Sequence, residues 1–284
     1  MEPSPVGWYQ DPYGRMPYRW WDGTKWSAYA RGDEVQWDPV EVTPDAPRRV
    51  GPPVMGVALC CFAVAVGFSY LVLVLLRDHG KPGGLSTELV LSELALWLPL
   101  LGACWYISRR RGESSLVSDY GLRWRPVDIG LGFAGSIAAH STEAIALLPI
   151  LILQPHFKVP DTSELQKFTN GASGWIVLFL VVCVGAPLVE ELFFRGLIQT
   201  RLVGRYGPIV GIGVTSVLFG AAHLIGWAGP ISLVYALGIA GGGVALGTMR
   251  HLTGRLGTSM MAHFFFNAEA LIALALVHSQ TFRV

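Results

Sequence analysis

Three ionisable residues, Glu190, Glu191 and Arg195, lie in the stretch CVGAPLVEELFFRGL, whose other residues are typical of a membrane-buried helix. An ionisable side chain inside a membrane is costly, and its usual reason is a functional site with a partner nearby. On a helix, Glu191 and Arg195 are four positions apart and share a face, so they can neutralise each other. Glu190 points about 100° away from Glu191 and is left free to react with another group.

Two later stretches carry groups with complementary chemistry. SVLFGAAHLI has His223 one helical turn after Phe219. MMAHFFFNAEA has His263 and Asn267 on one helix face, four positions apart. A carboxylate and an imidazole can take a proton from a shared water, and an imidazole with a carboxamide can donate hydrogen bonds to an oxyanion. Metal binding is the alternative chemistry, because Glu190, His223 and His263 are also ordinary zinc ligands.

A third apolar stretch carries His140 and Glu143 at positions i and i+3, which also share a helix face. This pair can line an internal cavity, but we expect it to serve helix packing or to lie at the membrane interface. It is therefore not part of the predicted site.

Long apolar helices must position these groups. The chain is 52% hydrophobic and 14% charged, against about 25% charged residues in a typical soluble domain, and its mean hydropathy is +0.45. A membrane-spanning helix needs about 20 mostly apolar residues. The sequence predicts an all-α polytopic membrane protein with about seven transmembrane helices, in a range of six to eight, and a small β-rich N-terminal cytoplasmic module. The predicted spans are Val54–Leu76, Leu85–Ile107, Val127–Leu153, Gly174–Leu202, Pro208–Trp227, Pro230–Met249 and Thr258–His278.

The distribution of lysine and arginine predicts the orientation, because cytoplasmic loops carry an excess of both. With seven spans, most of the 21 lysines and arginines fall on the side of the N-terminal segment. The other side holds Arg77, Lys81, Lys158, Lys167 and Arg283. We therefore expect an integral protein of the cell membrane, inner or plasma membrane, with a cytoplasmic N-terminus and a short C-terminus outside.

The N-terminal segment GWYQDPYGRMPYRWWDGTKWSAYA, residues 7–30, is dense in tryptophan and tyrosine. Asp22-Gly23 between aromatic runs is typical of a β-hairpin. We expect two or three short strands whose aromatic side chains form the module's own core, because so small a domain has little else to bury. A peptide- or partner-binding patch is the alternative interpretation.

The predicted domain organisation has three parts. Residues 1–35 are the Trp-rich module, and the proline-rich residues 36–53 form a semi-rigid linker. Residues 54–278 are the helical bundle, whose motif-bearing core is 170–275.

The polar motifs together resemble those of a known protease family. E-E-x-x-x-R from Glu190 to Arg195, F-x-x-x-H from Phe219 to His223, and H-x-x-x-N from His263 to Asn267 are similar, in the same order, to the three motifs of the CAAX-protease and bacteriocin-processing family. These are Rce1-like intramembrane proteases, the type II CAAX prenyl endopeptidases. The N-terminal pattern G-W-Y-x-D-P resembles a short Trp-rich module of unknown function found ahead of many bacterial membrane proteins.

The resemblance implies an all-helical intramembrane endopeptidase. It implies that Glu190 and His223 activate the attacking water and that His263 and Asn267 hold the oxyanion. The substrate is then a peptide or protein, and the lipid bilayer is the other partner. A prenylated substrate does not follow from these residues.

The resemblance also implies that Glu191 and Arg195 form a structural pair, with Phe219 as motif support. Members of the family have been described as metalloproteases, and a metal-free glutamate mechanism has also been proposed. We expect no cofactor, because H-E-x-x-H is absent and an asparagine amide is a poor zinc ligand. If zinc binds, Glu190, His223 and His263 hold it.

Two other function classes stay open. One is a non-proteolytic membrane scaffold or immunity protein of the same fold, in which the N-terminal module contacts a protein partner. The other is a proton-coupled transporter, for which inverted repeats would be expected; the sequence has no convincing internal repeat. No basic tract indicates nucleic-acid binding.

Overall fold

The computed structural model describes residues 6–11, 13, 15–22, 25–39, 54–78, 85–112, 114–154, 171–224 and 230–281. The chain divides into two compact units, Met1–Gly51 and Pro52–Val284. Most of the predicted linker, residues 40–53, lies outside the described residues.

The N-terminal unit is a four-stranded antiparallel sheet in the order β1-β2-β3-β4. The strands are β1 Gly7–Gln10, β2 Tyr18–Trp21, β3 Trp26–Arg31 and β4 Val35–Trp37. The predicted hairpin joins β2 to β3, where the amide of Asp22 donates to the carbonyl of Lys25 at 3.1 Å. The prediction of two or three strands was wrong, because a tight turn at Gly32 pairs β4 with β3.

The centre of this sheet is polar. Arg19 is fully buried between Asp11 and Asp38. The aromatic side chains pair edge to face around it, for example Trp8 with Trp20 at 5.4 Å between ring centroids. The aromatics therefore surround a buried ion network rather than forming the whole core.

The second unit is helical, as predicted. Its α-helices are α1 Val54–Asp78, α2 Leu85–Arg111, α3 Leu116–Tyr120, α4 Val127–Leu153, α5 Gly171–Leu178, α6 Ala186–Glu190, α7 Thr200–Ala222, α8 Pro230–Thr253 and α9 Leu256–Thr281. Two π-helical segments, Phe179–Gly185 and Glu191–Gln199, connect α5, α6 and α7 without a loop. The amide of Ala186 accordingly bonds to the carbonyl of Val181, five residues back.

Six segments of the described chain are long and apolar enough to cross a membrane, which confirms the polytopic fold class. They are Val54–Leu76, Thr87–Arg110, Val127–Leu153, Gly171–Ala222, Ser232–Thr253 and Leu256–Leu276. The fourth predicted span, and the fifth as far as Ala222, fall within Gly171–Ala222.

This fourth segment is too long for one crossing. Its 52 residues extend about 78 Å at about 1.5 Å per residue, against about 30 Å of hydrocarbon. Gly207, with φ 81° and ψ 170°, breaks the helix in front of Pro208. Beyond the break, Gly211 packs closely against Val203, a contact that eight residues of straight helix, about 12 Å long, would not allow. The chain therefore turns back at Gly207, near the boundary between the two predicted spans.

The helices around the polar motifs pack tightly through small residues. Gly132 and Gly135 of α4 leave no room for a side chain against Met261 and Ala262 of α9. Such close approach of backbones is typical of helix contacts in membranes. The aromatic and aliphatic side chains of Glu191–Gln199 form the centre of the hydrophobic core beside them.

Candidate active site

The π-helical segment that carries Glu191 and Arg195 is buried along its whole length. All nine residues of Glu191–Gln199 are buried. Its π-helical hydrogen bonding widens each turn, a feature often found at functional sites. Pro187, which follows the first π-helical segment, has no backbone N–H to donate, so the regular hydrogen-bond ladder is interrupted just before Glu190.

Glu191 and Arg195 form an ion pair inside the bundle. Arg195 Nη1 donates to Glu191 Oε1 at 2.7 Å, and both side chains are fully buried. Arg195 Nη2 donates to the carbonyl of Gly243 on α8 at 3.2 Å. The guanidinium also lies over the ring of Phe219, 4.1 Å from its centroid, a favourable cation–π geometry. The pair therefore ties the π-helical segment to α7 and α8.

His263 of α9 lies between the two adjacent glutamates. Its Nδ1 is 3.1 Å from Glu191 Oε1, and its Nε2 is 3.9 Å from Glu190 Oε2. A carboxylate accepts hydrogen bonds, so Nδ1 carries the proton and Nε2 faces Glu190. Sequence reasoning had not connected His263 to Glu191, because the contact joins residues 72 positions apart.

The two glutamates differ in their surroundings. The side chain of Glu191 is fully buried, whereas that of Glu190 is 13% exposed. Glu190 Oε2 is a buried oxygen with no hydrogen-bond partner within the described part of the chain. A buried polar atom without a partner is unusual in a folded protein and calls for an explanation such as a catalytic role or a bound water.

His223 follows the last residue of α7 and is partly buried. Its Nδ1 is 2.8 Å from the carbonyl oxygen of Phe219, one turn back in the chain. Because a carbonyl only accepts, Nδ1 donates, and in the neutral imidazole Nε2 keeps a free lone pair. No hydrogen bond or ion pair among the described residues joins His223 directly to Glu190.

The ring of Phe219 brings the motifs together. Its centroid is 5.0 Å from that of His223 and 5.7 Å from that of His263, in edge-to-face contacts. With the guanidinium of Arg195 over the same ring, one phenylalanine contacts a residue from each of the three motifs.

Asn267 lies one turn after His263 but faces another partner. Its Nδ2 donates to the carbonyl of Val182, in the first π-helical segment, at 2.7 Å. The structure therefore sets this amide against the backbone just ahead of Glu190, and its second Nδ2 hydrogen is not used in that bond.

Sequence reasoning missed a second polar cluster, in which Glu269 of α9 contacts His140 and Ser136 of α4. His140 and Glu143 pair as their spacing indicates, at 3.3 Å. An available signal for Glu269 was its ionisable side chain in an apolar helix, the same criterion that singled out Glu190.

The hydrogen bonds of the two histidines limit how they could hold a metal ion. Among the described residues, no group of three or more His, Cys, Asp or Glu side chains is arranged to hold one. His223 Nδ1 and His263 Nδ1 are both engaged by protein oxygens, so each imidazole has only Nε2 left for a ligand.

Apolar helices that converge on buried carboxylates and imidazoles define an integral membrane protein with an enzyme-like polar centre. Residues 172–268 match the family model described as Type II CAAX prenyl endopeptidase Rce1-like. The match contains all three motifs and confirms the resemblance for this segment. It implies a membrane hydrolase of the CAAX endopeptidase type. No curated protein and no solved structure matches the chain.

Proposed function

We propose that this chain is an intramembrane endopeptidase in which a water activated by Glu190 and His223 hydrolyses a peptide bond. The observation that carries the proposal is the asymmetry of the two adjacent glutamates. Each glutamate has one buried oxygen without a hydrogen-bond partner among the described residues, but Glu191 is neutralised by Arg195 and bonded to His263, whereas Glu190 is 13% exposed and lies 3.9 Å from Nε2 of His263. The site thus has one carboxylate that holds the structure and one that is free to accept a proton.

The proposed reaction begins with a water between Glu190 and Nε2 of His223. The Glu190 carboxylate takes one proton from this water, and the free lone pair of His223 accepts a hydrogen bond from the other. The water oxygen forms a bond to the carbonyl carbon of the peptide. The π electrons of the C=O bond move to the carbonyl oxygen, which becomes the oxyanion. When this intermediate collapses, the carbon–nitrogen bond breaks and Glu190 returns its proton to the leaving amine.

His263 and Asn267 are the proposed partners of the oxyanion. The Nδ1 contact with Glu191 fixes the ring so that Nε2 points into the site. In the proposed step, His263 donates from Nε2 in the doubly protonated imidazole, whose Nδ1 proton faces Glu191. Asn267 contributes the Nδ2 hydrogen that its bond to Val182 leaves over. Donors that are already oriented lower the energy of the charge that develops on the oxygen.

We further propose that the reaction needs no metal ion. The protein lies in the cell membrane with its N-terminus in the cytoplasm. The substrate is a peptide or protein that reaches the bundle from the bilayer or its surface. The lysine and arginine distribution supports this orientation. The N-terminal sheet is a separate unit, for which we propose contact with a protein partner.

Cleavage of a proteome-derived peptide library by the protein purified in detergent tests the proposal. Wild type would be compared with Glu190→Gln, which keeps the shape of the side chain, each with and without a zinc chelator. We expect cleavage by wild type, insensitivity to the chelator, and loss of cleavage in the variant. Loss of wild-type cleavage on addition of the chelator would indicate a zinc-dependent enzyme instead. Equal cleavage by both proteins would overturn the site, and no cleavage by wild type would favour a scaffold or immunity protein.

A further inference from the structure

The second polar cluster links α4 and α9 near the middle of both helices. His140 Nε2 is 2.7 Å from Glu269 Oε2, and His140 Nδ1 is 3.3 Å from Glu143 Oε2. Ser136 Oγ donates to the other oxygen of Glu269 at 2.9 Å. Four side chains from two helices thus form one connected network.

The contacts of this network are directional. Both ring nitrogens of His140 face carboxylate oxygens, and an imidazole N–H donates to a carboxylate oxygen along a defined direction. The 2.7 Å contact to Glu269 is at the short end of the range for such hydrogen bonds. The side chains of His140 and Glu269 are 41% and 36% exposed, on helices whose other residues are largely apolar.

The same two helices are linked a second time at their first residues. Asp128 of α4 accepts from Arg255, which precedes α9, at 2.6 Å, and from Thr258 at 2.6 Å. Glu269 lies 14 positions after Arg255, about 21 Å further along the helix. Between these two levels, the backbones of α4 and α9 touch at Gly132 and Gly135.

The candidate active-site residues of α9 lie between the two links. His263 and Asn267 come after Arg255 and before Glu269. The ring of His140 also stacks on Phe266, 4.4 Å between centroids, directly beside Asn267 in the sequence. Rotation or sliding of α9 against α4 would therefore move His263 and Asn267 relative to Glu190.

We propose that His140 and Glu269, supported by Glu143 and Ser136, form a clamp that positions α9 so that His263 and Asn267 meet the reacting carbonyl. These are positioning residues, since they act through α9, and the inference rests on the proposed endopeptidase function. Side-chain packing alone allows a helix to slide by small steps, whereas a directional hydrogen bond between side chains of the two helices fixes one register. Misplacement of catalytic groups by about 1 Å can cost about 100-fold in rate.

Amide substitutions test this clamp. His140→Gln places an N–H near the position of Nε2 of the imidazole, and Glu269→Gln keeps an oxygen acceptor. His140→Ala and Glu269→Ala each break the link, and we expect kcat to fall about 10- to 100-fold with little change in KM. The double variant His140→Gln with Glu269→Gln restores a neutral hydrogen bond and should recover most of kcat. Ser141→Ala removes an exposed hydroxyl that donates to the carbonyl of Ile137 in the same helix; it is the matched control and should retain wild-type kcat.

Hydrogen exchange of the full chain in detergent separates the clamp from the proposed function. We expect faster exchange in α4 and α9 of both alanine variants, and wild-type rates in the N-terminal sheet and in the double glutamine variant. Unchanged exchange in α9 would overturn the clamp whether or not a cleaved peptide is found. A full kcat in the alanine variants, or a double variant no better than either of them, would overturn it as well. Absence of cleavage by wild type counts against the proposed function only, and the exchange rates then decide the clamp.

Discussion

The two units each bury an arginine among carboxylates, yet the two networks are completed to different degrees. In the N-terminal sheet, Arg19 uses all its donors. Its Nε donates to Asp11 at 2.8 Å, and its two Nη atoms reach Asp11, Asp38 and the carbonyl of Ser27. Asp11 in turn accepts from the backbone amides of Tyr13, Arg15 and Met16. Within the described residues this network is closed, because every donor of Arg19 has an acceptor.

The membrane network is open by comparison. Arg195 Nε, Glu191 Oε2 and Glu190 Oε2 are buried atoms that lack hydrogen-bond partners within the described residues. Buried polar groups in native proteins are nearly always paired, and exceptions concentrate at functional sites. Burial of a charged side chain is therefore not by itself evidence of a functional site. The unused hydrogen-bonding capacity of these buried atoms is the more informative signal.

The largest expected effect concerns the open network. His223→Ala removes the imidazole that faces the attacking water, and general acid–base groups contribute about 10²- to 10⁴-fold in rate. We expect kcat to fall by about that factor, measured on a peptide that wild type cleaves. His251→Ala changes an exposed histidine near the end of α8 and should leave kcat unchanged. A similar loss of kcat in both variants would contradict a role for His223 in activating the water.

The next largest effect concerns the closed network. Arg19→Ala leaves Asp11 buried without its cation, and breaking a buried pair in this way costs about 3–5 kcal/mol. We expect the N-terminal sheet to unfold at a lower urea concentration, measured by thermolysin cleavage within residues 6–39 of the full chain. Arg31→Ala is the control, because Arg31 is exposed and its guanidinium lies near the rings of Trp8 and Tyr18. An equal shift in the two variants would contradict the central role of Arg19.

Acid should weaken the closed network through Asp11. Burial alone would raise the pKa of Asp11, but hydrogen bonds from Arg19, Met16 and Tyr13 lower it below its ordinary value of 3.8. A carboxyl whose folded pKa is depressed stabilises the fold above its unfolded pKa, and this contribution is lost as pH falls through the folded value. Pepsin digestion below about pH 4 should therefore cleave the wild-type sheet increasingly as pH falls.

Asp11→Asn is the matched variant for this acid effect. It should be less stable at neutral pH and should lose less additional stability than wild type between pH 4 and pH 2, because it has no proton to bind there. The same acid sensitivity in both proteins would assign the effect to other carboxylates.

The smallest expected effect lies on the surface of the sheet. Trp37 and Tyr29 pair edge to face at 5.0 Å, but both are largely exposed. Such a pair contributes about 0.5–1.5 kcal/mol beyond its buried area, so Trp37→Ala should shift thermolysin resistance far less than Arg19→Ala. A larger shift than that of Arg19→Ala would show that aromatic packing, not the ion network, holds the sheet.

Local patterns in the sequence were sufficient for some of these features. The spacing of Glu191 and Arg195 predicted a pair because residues four apart face each other even without tertiary structure. Hydropathy located the spans, and the chain reverses at Gly207, close to the predicted boundary between Leu202 and Pro208. The fourth strand was missed because Val35–Trp37 is short and exposed and has little strand pattern of its own.

Contacts between distant residues were beyond sequence reasoning. The bond between His263 and Glu191 depends on how α9 packs against a π-helical segment, and neither the packing nor the widened turn follows from local propensity. The same holds for His140 and Glu269, which only the parallel packing of α4 and α9 brings together. Residue types could be predicted for the site, but their partners could not.

The central claim is that Glu190 reacts and Glu191 holds the structure, and one paired measurement tests it directly. Glu190→Gln and Glu191→Gln would be compared for kcat and for thermal unfolding in the same detergent. We predict that Glu190→Gln loses cleavage and unfolds at the wild-type temperature, whereas Glu191→Gln unfolds earlier because Arg195 is left buried without its anion. A Glu190→Gln protein that cleaves at the wild-type rate, or a Glu191→Gln protein as stable as wild type, would contradict the account.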